Sequence, residues 1–220
     1  MTVSSTSNPV VAIPPNIPPL PILPEFIDQV NLANSQSKLL NDIYAQFSQS
    51  GSFVWSNTGS GTYTIGMTVH LDPDFLPGTG SQYSHTLLQL AATLGHEMTH
   101  ALLPTVHQSF SSALNPDQVR TIGVQNEGEA YLAEYVIAEQ LGGGSDLDKL
   151  PKPVKDALDA QFKALKPLGV TPASFTTLQS LTGSPYFEQL WTAAGDAVAN
   201  QDMTSAGYQN QTYASRWVDN

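Results

Sequence analysis

Between Ser84 and Leu103 the sequence is apolar on nearly every side of a helix, through Leu87, Leu88, Leu90, Ala91, Ala92, Leu94, Met98, Ala101 and Leu102. A helix without a polar face has to be covered all round, so it becomes the central element of whatever the chain builds. Apart from His85 near its start, its ionisable side chains nonetheless fall together, at His96, Glu97 and His100. Burying such groups with neither a partner nor a metal is costly. Two histidines four residues apart lie about 40° apart around a helix, so both imidazoles leave one face and can share a tetrahedral ion. Glu97, beside the first histidine, is placed to take a proton from a water that such an ion activates.

The rest of the chain reads as a frame for that helix. Seven prolines between Pro9 and Pro24 predict an extended polyproline stretch, so residues 1–24 are an arm or linker and 25–220 the folded domain. Phe26, Val30 and Ala33, then Leu39, Leu40, Ile43, Tyr44 and Phe47, have helical spacing and end at Gly51. Residues 52–55 and 62–71 are β-rich and flank Asn57-Thr58-Gly59-Ser60-Gly61, which predicts a hairpin. In the second of these, Tyr63, Ile65, Met67, Val69 and Leu71 are expected on one face. Residues 105–125 read as loop and short helix. Asn126 reads as the N-cap of a helix ending at Gly142-Gly143-Gly144. Three shorter helical stretches are expected near 151–165, 172–181 and 185–199. Residues 25–104 thus hold the hairpin and the central helix, and 105–220 a second helix and a helical lobe.

Composition excludes several functions. Eight basic against nineteen acidic residues give a net charge of -11, the wrong sign for following a nucleic-acid backbone or docking on an anionic membrane. No apolar run approaches the roughly 18 residues of a spanning helix, and with no cysteine there is no disulfide or thiol chemistry. Charged residues are only 12%, and the polarity comes from Ser, Thr, Asn and Gln. That balance suits a secreted or extracytoplasmic protein and is equally compatible with a cytosolic one, and Met1 to Pro9 lacks the basic and apolar regions of a signal peptide.

His96-Glu97-Met98-Thr99-His100 resembles the signature of zincin metallopeptidases. The metzincin extension of that signature is missing, because Leu103 and Val106 stand where its glycine and third histidine belong. His107 falls one residue late. Asn126-Glu127-Gly128-Glu129-Ala130 is similar to the segment of gluzincins in which a glutamate on a second helix completes the metal site. The resemblance therefore implies one catalytic Zn2+ held by His96, His100 and Glu127, with Glu97 as general base and Glu129 as the alternative third ligand. Small residues at 128 and 130 would let the second helix approach the central one closely. Glu134 lies seven residues from Glu127, on the same stripe, and is expected to hold a histidine N–H. The 26 residues between His100 and Glu127 exceed the spacing of thermolysin-like and aminopeptidase-type gluzincins, and Tyr131 stands where the former carry an aspartate. The Gly-x-Met-Glu-Asn element of the latter is absent, so exopeptidase activity is not implied.

The implied architecture is α+β and minimal zincin-like: a small hairpin or sheet packed on a buried active-site helix, with a helical C-terminal lobe. The implied activity is hydrolysis of peptide bonds in a peptide or protein substrate, by an enzyme of the secreted or delivered bacterial type. A delivery module or an inhibitor or immunity protein would be a natural partner. Tyr131, Tyr135, His107 and Arg120 are the candidate oxyanion donors. Arg120, the only basic residue between Lys38 and Lys149, is alternatively a structural ion-pair partner. Residues 62–71 resemble the edge strand on which zincins lay their substrates, with His70 at its end. His85 sits near the start of the central helix, roughly 16 Å from His96 along its axis and too far to share an ion. Two other readings remain open: an amidase acting on cell-wall peptides, and a binding module with a structural zinc, which requires four protein ligands.

Overall fold

The computed structural model describes residues 26–28, 30, 35–79, 85–103, 115–142 and 150–199. The proline-rich arm, His107 and the C-terminal aromatic residues lie outside the described residues. The chain is α+β, with a small mixed sheet, a buried central helix and a helical C-terminal lobe. Among the described residues no helix is long and apolar enough to cross a membrane.

Helix α1 (Lys38–Phe47) starts at Ser37, whose hydroxyl accepts from the Leu40 N–H, and it buries Leu39, Leu40, Ile43 and Phe47. Strands β1 (Ser52–Trp55), β2 (Tyr63–Ile65) and β3 (Thr68–Leu71) follow, in the sheet order β1-β3-β2. This differs from the predicted hairpin in two ways. β1 runs parallel to β3, and the antiparallel hairpin is β2 with β3. What reads as one strand over 62–71 is folded back on itself at Gly66-Met67, where Gly66 has φ 57°. A two-residue hairpin turn requires that left-handed conformation, and glycine adopts it without a steric cost. The turn also reverses the expected facing. Thr64 and Val69 pair across the ladder, Tyr63 pairs with His70, and Val69 and Leu71 are fully buried while Ile65 is 63% exposed. Tyr63 and Ile65 are therefore on the opposite face from Val69 and Leu71.

The loop between β1 and β2 is tied down by a buried carboxylate. Asp72 accepts from the backbone N–H groups of Gly59, Gly61 and Asp74, at 3.2, 2.7 and 2.9 Å. Satisfied in this way, its carboxylate is tolerable at 1% exposure.

Helix α2 (Leu87–Leu102) begins with a capping box, Thr86 and Gln89 each bonding the other's backbone N–H. Helix α3 (Pro116–Gln140) is one continuous helix and does not begin at Asn126. Its N-cap is Asn115, paired with Gln118 in a second capping box, with Pro116 in the first turn. The lobe is completed by α4 (Lys152–Leu165), α5 (Leu178–Thr182) and α6 (Phe187–Ala199). The Gln140 side chain joins three segments: it accepts from Ser37 Oγ and Leu39 N and donates to the carbonyls of Pro172 and Phe175.

The close approach of α2 to α3 uses a glycine of the central helix. A Cβ on Gly95 would overlap Ile137 Cδ1. Gly128 instead faces α6, where a Cβ would overlap the Trp191 carbonyl oxygen and lie 3.0 Å from Gly195 N. Gly195 in turn meets the Val124 carbonyl, so α3 and α6 cross backbone to backbone. Gly128→Ala gains about 1 kcal/mol of helix propensity but overpacks a contact that no rotamer change relieves, at about 3 kcal/mol. The expected result is a net loss of about 2 kcal/mol, read by denaturant unfolding, and an unchanged midpoint would contradict this packing.

Candidate metal centre

The two central histidines and one glutamate of α3 converge. His96 Nε2 lies 3.0 Å from His100 Nε2, and Glu127 Oε2 lies 3.8 and 3.9 Å from these two nitrogens. A tetrahedral zinc with bonds of about 2.0–2.1 Å has ligand atoms about 3.3–3.5 Å apart, and the three separations fall around that value. Among the described residues these are the three groups that could hold an ion together. Glu129 is not among them: it is buried and accepts from Gln125 Nε2 at 2.8 Å.

The opposite edges of both imidazoles are occupied by acceptors. His96 Nδ1 donates to Glu134 Oε2 at 3.0 Å, and His100 Nδ1 donates to Asn126 Oδ1 at 2.6 Å. When each imidazole carries its one proton at Nδ1, both Nε2 atoms present lone pairs to the same point, beside a carboxylate oxygen. In that tautomer three electron-pair donors meet at one place, and the donor set fits a metal ion. Without a metal the two Nε2 atoms share a proton, at 3.0 Å from each other. Burial works against charge on His96, but the Glu134 hydrogen bond, with the charges of Glu134, Glu97 and Glu127, raises its pKa to about 9. Burial and the neighbouring His96 lower that of His100 to about 3, against its bond to Asn126. Two basic nitrogens competing for one proton shift in opposite directions, and a metal cation satisfies both.

Glu97 is 7% exposed. Burial raises its pKa to about 7, against the opposing effects of His96 and of a hydrogen bond from Thr64. The Thr64 hydroxyl lies 2.9 Å from both Glu97 Oε2 and the Glu97 carbonyl. Among the described residues β2 is an edge strand, and it packs on the central helix.

The oxyanion candidates are scattered. The ring of Tyr131 packs edge-on against His96, with centroids 4.5 Å apart. Tyr135 points into the C-terminal lobe, where its hydroxyl donates to Asp159 Oδ1 at 2.6 Å and its ring stacks on Phe162. It is therefore removed from the oxyanion candidates. Arg120 is exposed, two turns before Glu127, and makes no ion pair among the described residues. His70 is on the central strand, stacked on Tyr63, and not on the edge. His85 precedes the central helix and stacks on Phe75.

Two contributors escape a reading of the sequence. Asn126 is in mid-helix and holds His100, whereas it reads as a helix cap. Asn115-Pro116-Asp117-Gln118 carries the true start signal, an N-cap followed by proline with glutamine three residues on. Thr64 has no signature, because nothing local shows that a strand threonine reaches a helix 33 residues away.

No protein-family model, curated protein or solved structure matches this chain.

Glu134 belongs to the site through His96. Glu134→Gln keeps its size and removes the charge, and the affinity for a metal ion held there is expected to fall roughly 10–100-fold. Titration against a competing chelator measures this, and an unchanged dissociation constant would sink the assignment.

Proposed function

We propose that this chain is a zinc-dependent endopeptidase. The carrying observation is the convergence of His96 Nε2, His100 Nε2 and Glu127 Oε2, with the Glu97 carboxylate beside them and an edge strand attached to it. A His₂Glu set is a catalytic zinc set, and three protein donors leave a position for chemistry, where a structural site has four. Zinc held there supplies Lewis acidity toward a water and a scissile carbonyl. Glu97 accepts the water's proton as the carbonyl is attacked, and delivers it to the leaving amine. Glu134 and Asn126 keep the two imidazoles in the tautomer and orientation that aim Nε2. Tyr131, against His96, is the proposed donor to the oxyanion.

The sheet supports a mode of substrate binding. Gly66-Met67 is a two-residue turn, so Ile65 and Thr68 form a hydrogen-bonded pair, as do Tyr63 and His70. By alternation the N–H and C=O of Thr64 face the edge that no described strand covers. An extended peptide adding there as a further strand pairs with the residue whose hydroxyl holds Glu97, and nothing in strand addition requires a chain end.

The test uses peptides blocked at both termini, with zinc measured on the same sample. The reading expects about one zinc per chain and internal cleavage that a chelator stops and added zinc restores. Protein that takes up no zinc overturns it.

A further inference from the structure

We infer that Thr64 is a positioning residue for Glu97, so that one residue of β2 both docks substrate through its backbone and sets the base through its side chain. This rests on the peptidase reading for its catalytic consequence, but the geometry stands without it. Thr64 is the inward residue of a three-residue strand whose other members, Tyr63 and Ile65, are exposed. Its cross-strand partner Val69 is fully buried, and an apolar residue at 64 would extend that core. A hydroxyl stands there instead, 2.9 Å from Glu97 Oε2 and 2.9 Å from the Glu97 carbonyl. A hydroxyl has one proton to give, and the ionised carboxylate is the stronger acceptor.

The bond has two consequences. It fixes the rotamer of a long side chain that otherwise turns about three bonds, leaving Oε1 of the carboxylate for the water. It also joins the base to the edge strand: a peptide that pairs with the Thr64 N–H and C=O presses on the same residue that holds Glu97. Binding and base orientation then share one rigid element, which a base held only by its own helix lacks.

The test compares wild type, Thr64→Val and Thr64→Ser. Valine keeps the branched shape and removes the hydroxyl; serine keeps the hydroxyl and removes a methyl. The first readout is crystallographic and needs no activity. Glu97 is expected in a single rotamer bonded to residue 64 in wild type and Thr64→Ser, and rotated or split in Thr64→Val. The second is kinetic, on a peptide blocked at both ends. In Thr64→Val, kcat is expected to fall about 10–100-fold with KM within about twofold and zinc content unchanged, and Thr64→Ser to recover most of the rate. An unmoved Glu97 in Thr64→Val overturns the inference. So does an intact kcat, or a loss carried by KM alone, which would make residue 64 a docking residue only. If wild type does not cut but Glu97 is released in Thr64→Val, the peptidase reading fails and the positioning by Thr64 stands.

Discussion

Glu97→Gln is expected to retain about one zinc per chain while peptide cleavage falls about 10²–10⁴-fold, the range attributed to a positioned general base. Glutamine has the same shape and still offers an oxygen to the Thr64 hydroxyl, so the wall of the site stays in place. It cannot take a proton. The stability change should have the opposite sign to the activity change. Glu97 is a buried carboxylate whose pKa burial raises to about 7, which means that its charged form is disfavoured where it sits. Replacing it with a neutral isostere removes that cost, so the melting temperature of the metal-free variant should match or exceed wild type. Zinc content, cleavage rate and melting temperature on the same preparations check all three. A variant that cuts at the wild-type rate would remove Glu97 from the mechanism.

The second large effect concerns the ligands. A metal that binds only the folded state stabilises it by about 4 kcal/mol when free zinc is 1,000-fold above its dissociation constant. For a chain of this size that corresponds to a rise of roughly 8–16 °C in melting temperature. Wild type should lose this increment on adding a chelator. His96→Ala, His100→Ala and Glu127→Ala should show little of it at any practical zinc concentration. Glu129→Ala separates the two glutamates. Its own melting temperature should drop, because a buried partner of Gln125 is lost, but zinc should still raise it by the wild-type amount. A zinc response that disappears in Glu129→Ala and persists in Glu127→Ala would reverse the assignment of the third ligand.

These expectations draw on different layers of the molecule. The histidine pair and Glu97 are legible in the sequence because the helix repeat alone places residues four apart on one face. Burial of that helix follows from its composition. The helical elements of the C-terminal lobe are legible for the same local reason, and so is the spacing of Glu127 and Glu134 on a second helix. The strand reading fails where a single glycine changes the path. Gly66 turns residues 62–71 back on themselves, and β3 then inserts between β1 and β2. Which strands pair, and in which direction, depends on what the sheet packs against, and alternation along one segment carries no information about that.

The same division holds at the metal centre. The chain by itself determines which groups can ligate an ion and which helix faces carry them, because those properties repeat every few residues. Only the tertiary structure decides that Asn126 holds His100, that Thr64 reaches Glu97, that Tyr135 turns away to Asp159, and that Gly128 serves the α3–α6 crossing while Gly95 brings α3 onto the central helix. Each of these is a contact between segments distant in sequence. Such contacts are set by how whole faces fit together, and no short window of residues contains that fit.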